Sequence, residues 1–328
     1  MTRIAKQLSI YFLCLGLMLV GTSYAAAAVE DSDSPGLFSA SSSAHNPASE
    51  AAVPRIGNRE LCASGPAPKM EEFVDVNSDD MDTRVDLQCL KASYPQITGL
   101  VSDVQGLWLL VGDKGRVLYA RHSSADGAAN GQNQGDGWDV DVRASMAEPY
   151  PLEPERPDTP YGVSPGRKRS YDLLAALYGG TPAQVNKKLV PTRLAGQPLR
   201  LSAAAGMALA GADAALVEAV REDPQLRKFL KMDGGFMWRR IAGESRLSPH
   251  AFGIAIDLSS RIAPYWRWSK LRPHPLQFSY PPAIVSAMEQ AGFIWGGKWH
   301  EYDIMHFEYR PELICKARVM RDKASPAK

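Results

Sequence analysis

Two short stretches, SRLSPHAFGIAIDL at 245–258 and WHEYDIMHFEYR at 299–310, constrain the fold more than any other part of the chain. Each holds an apolar, β-prone run, so IAIDL (254–258) and DIMHFEYR (303–310) are expected to be strands. Successive side chains on a strand face opposite ways. His306 and Glu308 therefore share one face, while Met305 and Phe307 can enter a core. Asp257 ends its run, where a side chain can emerge at a sheet edge, and Gly253 permits an unusual turn between His250 and Asp257.

Those polar positions form a chemically coherent set. His250, Asp257 and His306 offer three nitrogen or oxygen donors, and Asp303 is a spare carboxylate where the chain enters its strand. A catalytic zinc ion needs about three such ligands, an open position for water and a nearby proton acceptor. Glu308 is placed to accept a ring N–H from a ligating histidine. His250 and Asp257 are too far apart for a helical i, i+4 pair, and Ile304 stands where the helical zinc-protease motif would need a histidine in HEYDI (300–304). Singly, each residue has an ordinary reading, as a buried histidine bonded to backbone or an aspartate capping a turn. The joint pattern of Ser248, His250, Gly253, Asp257, Asp303, His306 and Glu308 carries the argument.

The rest of the chain frames this core. Arg3 and Lys6 precede the apolar run LSIYFLCLGLMLV (8–20) and the small residues GTSYAAAA (21–28), the order of a secretory signal peptide, so 1–28 is expected to be cleaved. That run is shorter than the roughly 20 residues that span a bilayer, so no membrane span is expected in the mature chain. Residues 29–59 read as a flexible tether, 60–165 as an accessory region, 166–318 as the domain built on the motif core 232–315, and 319–328 as a tail. Within the accessory region, LWLLV (107–111) and RVLYA (116–120) predict a β-hairpin, and DGAANGQNQGDG (126–137) a loop. Prolines 151, 154, 157, 160 and 165 predict an extended wrap over 148–168. Helices are expected near 169–178, 182–189, 202–223 and 281–293, the alanine-rich third packing on the sheet that carries the motifs. FMWRRIAG (236–243) reads as a further strand entered from Gly234-Gly235. Helices of varied length without regular βαβ spacing favour an α+β fold with a small antiparallel sheet and flanking helices, plus an N-terminal extension containing the hairpin.

Export implies an oxidising compartment. Of Cys62, Cys89 and Cys315, the first two flank one short segment and are expected to pair, leaving Cys315 as a buried thiol. No two cysteines have metal-ligand spacing. With 37 Lys and Arg against 36 Asp and Glu, nothing in the charge balance points to nucleic acid.

SPHAFGIAID resembles the S-x-H-x-x-G-x-A-x-D signature of the zinc D-alanyl-D-alanine carboxypeptidase family, which includes VanY-type enzymes and phage L-alanyl-D-glutamate endopeptidases. DIMHFE resembles the family's second signature, an acidic residue three places before the second histidine. The resemblance implies zinc on His250, Asp257 and His306, with Asp303 as general base and acid; Asp rather than Glu there is similar to the endopeptidase branch. It also implies an arginine steadying the oxyanion from the strand before the first motif. Arg239 is the first choice and Arg240 the second, since neighbours on a strand face opposite sides, and Arg246 is a weaker candidate. The fold implied is that shared with the hedgehog signalling domain. Trp295, Trp299 and Tyr302 line the cleft or pack the core, and Gly296 and Gly297 make its rim or a turn. The resemblance implies an exported, periplasmic or cell-envelope hydrolase acting on peptidoglycan stem peptides, at the terminal D-Ala or between L-Ala and D-Glu. The alternative is a catalytically inactive, zinc-stabilised cell-wall-binding module, against which the spare Asp303 carboxylate argues.

Overall fold

The computed structural model describes residues 72–73, 80–113, 115–122, 139–154 and 160–324. The expected signal peptide, tether and Gly/Asn loop, and Cys62, lie outside them. In chain order the elements are β1 (Glu72–Phe73), α1 (Met81–Ser93), β2 (Ile97–Asp103), β3 (Gly106–Val111), β4 (Gly115–Arg121), α2 (Val142–Ser145), α3 (Tyr171–Tyr178), α4 (Pro182–Lys188), β5 (Leu189–Leu194), β6 (Gln197–Ser202), α5 (Ala203–Glu222), β7 (Met232–Gly234), β8 (Ala255–Leu258), α6 (Leu276–Ser279), α7 (Pro282–Gln290), β9 (Phe293–Trp295), β10 (His306–Tyr309) and α8 (Pro311–Ala324). This is an α+β fold with small antiparallel sheets.

Local chemistry sets many of the boundaries. Asp80, Ser170, Thr181 and Ser202 each cap a helix by accepting a backbone N–H that has no partner inside the first turn. Pro182 opens both its capping turn and α4, where its missing N–H costs nothing. The expected hairpin is present as β3 and β4, within a sheet ordered β1-β2-β3-β4. Among the described residues, the 148–168 stretch holds no helix or strand, as its prolines indicated.

The sheet that carries the motifs has the order β7-β8-β10-β9. Its two central strands are paired so that His306 lies opposite Asp257, Phe307 opposite Ile256 and Glu308 opposite Ala255. Ile256 and Phe307 are fully buried and pack into one hydrophobic core that runs from Leu87 to Ile314. α7 backs this sheet and meets α5. α5 is long and apolar enough to cross a membrane by length and composition. It buries Ala205, Leu209, Ala212 and Leu216 and packs on the β5–β6 hairpin and α7, a different surface from the motif-bearing sheet expected for it.

Three further expectations are corrected. Residues 236–243 are not a strand; the strand from this part of the chain is β7. Met237 N–H bonds His250 O, Ser248 N–H bonds Arg239 O, and Ile241 N–H bonds Arg246 O. The partner is thus the irregular stretch 246–250, which includes a 3₁₀ turn and offers no regular ladder. The third strand starts at His306, not Asp303, because His306 N–H closes a turn on Asp303 O. Cys89 pairs with Cys315 rather than with Cys62. Cys89 is fully buried on α1, which packs along α8, the helix carrying Cys315, so proximity in space overrides proximity in sequence.

Candidate metal centre

His250 sits in a single 3₁₀ turn, Pro249–Phe252, capped by the Ser248 hydroxyl, which accepts from His250 N–H. The turn ends at Gly253 with φ of 66°, a conformation that glycine adopts freely. A Cβ there would also lie 2.4 Å from Leu189 Cδ2, and Gly253 O accepts from Ser202 N at 2.8 Å, so the glycine locks the turn against the β5–β6 hairpin. From that turn the chain enters β8 and delivers Asp257, two-thirds of the way along the strand. The neighbouring β7 passes close by: a Cβ on Gly234 would stand 3.0 Å from Asp257 Oδ2.

The register of β8 and β10 then brings the two motifs together. His306 Nδ1 lies 3.1 Å from Asp257 Oδ1, and His250 Nε2 lies 3.2 Å from Asp257 Oδ2. One donor atom from each of the three residues falls within 4.8 Å of the others, and both histidines are buried. The remaining ring nitrogens define the tautomers. His250 Nδ1 donates to Gly235 O at 2.8 Å, which leaves Nε2 with its lone pair facing Asp257. His306 Nε2 faces Glu308 Oε2 at 3.4 Å, as the strand alternation indicated, which turns Nδ1 inward. His250 Nε2 is a buried nitrogen with no hydrogen-bond partner among the described residues. Three convergent N/O donors, one an orphaned imidazole nitrogen, fit a divalent metal ion of the zinc type.

Asp303 is held beside this set by its backbone, with its N–H on Gly296 O at 2.9 Å and a bridge to Tyr265. Its Oδ1 is buried and has no hydrogen-bond partner among the described residues. Burial pushes the Asp303 carboxyl up to about 7, the His306 charge opposing and the Asp257 charge reinforcing the rise. Asp257 behaves oppositely. Burial raises it, but the His250 and His306 imidazoles outweigh that and hold it well below the ordinary carboxylate range. The two environments therefore push neighbouring carboxyls apart, one kept charged and the other held near neutrality.

These residues line a cavity of about 130 Å³ together with Ser248, Arg239, Arg167, Arg169, Tyr265, Trp268 and Trp299. Arg239 lines it and Arg240 does not; Arg240 is engaged in a backbone bridge to Leu247. Arg246 is buried and ion-paired with Glu244 rather than at the surface. Of the three aromatics, Trp299 lines the cavity, its ring 5.7 Å from that of His306. Trp295 and Tyr302 are core residues whose polar atoms bond the carbonyls of Ile304 and Leu271. A larger cavity of about 690 Å³ beside α5 is lined by apolar residues, Gln197, Arg221, Arg227 and Lys231, and has no carboxylate or imidazole for acid–base or metal chemistry.

Arg167 and Arg169 were not singled out from the sequence, because Arg167 falls in a proline-rich stretch read only as a wrap and Arg169 opens the segment read as a helix. Arg169 forks onto Glu308, with Nε on Oε1 at 2.8 Å and Nη2 on Oε2 at 2.5 Å. Arg167 pairs with Glu301, so that carboxylate is drawn away from Asp303's role. Their spacing, two apart in an extended segment, puts them on one face and was the available signal.

No curated protein and no solved structure matches the chain. Residues 242–309 do match the family model described as D-alanyl-D-alanine carboxypeptidase, and this segment, which holds His250, Asp257, Asp303 and His306, is similar to that peptidase family.

Proposed function

We propose that this chain is an exported zinc metallopeptidase that hydrolyses peptidoglycan stem peptides, either as a D-alanyl-D-alanine carboxypeptidase or as an L-alanyl-D-glutamate endopeptidase. The observation that carries the reading is the buried His250–Asp257–His306 donor set with the unpartnered Asp303 carboxyl beside it. The family match over 242–309 supports the peptidase class, and the order of charged, apolar and small residues at the N-terminus supports export. A zinc ion held by His250, Asp257 and His306 supplies Lewis acidity and makes water a usable nucleophile near neutral pH.

The chain's own residues supply the rest of the chemistry. Asp303 accepts the proton of the attacking water as the new C–O bond forms at the scissile carbonyl. It returns that proton to the leaving amine as the C–N bond breaks. Burial raises its carboxyl above the ordinary carboxylate range, which favours return of the proton to the leaving amine. Arg239, in the cavity wall, offers positive charge to the developing oxyanion, a contribution worth roughly 3–4 kcal/mol per donor in other hydrolases. Glu308 and Gly235 O hold the two imidazoles in the tautomers that leave a lone pair inward.

Digestion of purified muropeptides, read by mass spectrometry, tests the proposal. A protein carrying about one zinc per chain should remove a terminal D-Ala or split L-Ala from D-Glu, and the masses tell the two apart. A folded, zinc-loaded protein that cuts neither bond would sink the reading.

A further inference from the structure

His306 is backed by a chain of buried charges that leaves the family-matched segment and ends at Tyr94, the residue that closes α1. Glu308 Oε2 faces His306 Nε2, and Arg169 grips both Glu308 oxygens. Arg310 Nη1 stands 3.6 Å from Glu308 Oε1, and its Nε donates to Glu312 Oε1 at 2.5 Å. The other Glu312 oxygen accepts from the Tyr94 hydroxyl at 2.6 Å. None of Arg169, Glu308, Arg310, Glu312 and Tyr94 is more than 4% exposed, so solvent does not screen the chain. Two arginines against two glutamates leave it neutral, which is what allows it to be buried.

The arrangement is directional. A carboxylate forked by one guanidinium cannot rotate, so Glu308 keeps Oε2 on the outer nitrogen of His306 and leaves Nδ1 turned to Asp257. Arg310 is fixed in turn, because its Nη1 also donates to Gly166 O at 2.9 Å while Arg169 Nη1 donates to Arg167 O at 2.8 Å. The far end is anchored by the seam between α1 and α8. Lys316 Nζ meets Asp86 Oδ1 at 2.6 Å, Cys89 is bonded to Cys315, and Tyr94 meets Glu312. These three pairs ascend α1 while descending α8, so the helices run antiparallel and the covalent link sits between two polar ones.

We propose that this buried chain sets the metal affinity of the site, with Arg169, Arg310, Glu312 and Tyr94 acting as positioning residues for His306. The region before the matched segment is then part of the metal-binding apparatus and not only a brace. The inference rests on the metal reading of His250, Asp257 and His306.

Zinc affinity of the full-length protein, measured by competition with a chromophoric chelator in the absence of peptide, tests it. Arg169→Lys keeps the charge but cannot fork, and should weaken zinc binding by about 10–100-fold. Tyr94→Phe removes one hydroxyl at the remote end and should weaken it by about fivefold, below the range for direct partners of a ligand. Nitrogen chemical shifts of the His306 ring in the zinc-loaded variants should report a weakened Nε2–H bond, which general loosening of the fold would not single out. Affinities of both variants within about twofold of wild type, with or without a lowered melting temperature, would overturn the proposal. Should Arg169→Lys fail to fold, Tyr94→Phe decides alone. A wild-type chain that binds no zinc would remove the metal reading itself, whereas one that binds zinc but cuts no muropeptide would leave this inference standing.

Discussion

The segment 242–309 and the region 80–169 hold the same site by different means. The first carries the residues proposed to hold a metal or move a proton, His250, Asp257, Asp303 and His306. The second supplies Arg169, which lines the cavity and grips Glu308, and Tyr94, which reaches the site only by way of Glu312 and Arg310. Donor spacing along two paired strands is a local property and leaves a compact signature. Support for a buried carboxylate has no required sequence distance, since Arg169 meets Glu308 across 139 positions and Tyr94 meets Glu312 across 218. Damage to the first region should therefore remove chemistry from an intact fold, and damage to the second should loosen the fold and the metal while leaving the chemistry in place.

The largest expected effect comes from the first region. Asp303→Asn keeps the size of the side chain but cannot take a proton, so turnover on muropeptides should fall by about 10²–10⁴ while zinc per chain is unchanged. Both quantities are measurable on one preparation. Unchanged turnover would move the base elsewhere, and Glu301 would be the first alternative despite its pair with Arg167.

The second region should respond with a stability loss. Cys89→Ser removes a crosslink that closes a loop with a sequence separation of 226, and chemical denaturation should show a loss of about 2–5 kcal/mol. Protein that remains folded should retain its proton-transfer step, because no atom of the seam lines the cavity. A variant as stable as wild type would mean that Asp86–Lys316 and Tyr94–Glu312 hold the seam unaided.

The same contrast explains what was legible in the sequence. The two strands, the hairpin at 107–120, the helices at 171–178, 182–188, 203–222 and 282–290, and the three donor positions follow from local periodicity and capping, and the structure contains them. Local reading failed where a partner outside the segment decides. Residues 236–243 have strand composition but face an irregular stretch, so no ladder forms. Cys89 found Cys315 because α1 and α8 pack together across a sequence separation of 226, and no spacing rule reports that. Trp295 and Tyr302 flank the second motif as closely as Trp299 does, yet bond to backbone carbonyls inside the core. Arg169 reads as the first residue of a helix, but the helix starts at Tyr171 and Arg169 is a buried partner of Glu308.

The smallest expected effect joins stability to chemistry at Asp303. Its carboxyl is pushed from an ordinary 3.8 up to about 7 by burial, with His306 opposing and Asp257 adding to the rise. As base it must be ionised, so turnover should decline about tenfold per unit as pH falls below the acid limb. A cation on the neighbouring ligands would draw that limb down, placing it between 3.8 and 7 in loaded enzyme. The stability sign is the reverse of that for a salt-bridged carboxylate. The folded state binds this proton more tightly than the unfolded chain does, so metal-free protein loses stability as pH rises from 3.8 through 7. Asp303→Asn should abolish that loss, making metal-free variant more stable than wild type by roughly 1–3 kcal/mol at pH 8 and no more stable at pH 3. Urea titrations at the two pH values check it: a parallel offset at both would assign the gain to packing, and a gain confined to pH 8 would assign it to the buried charge that the proposed proton transfer requires.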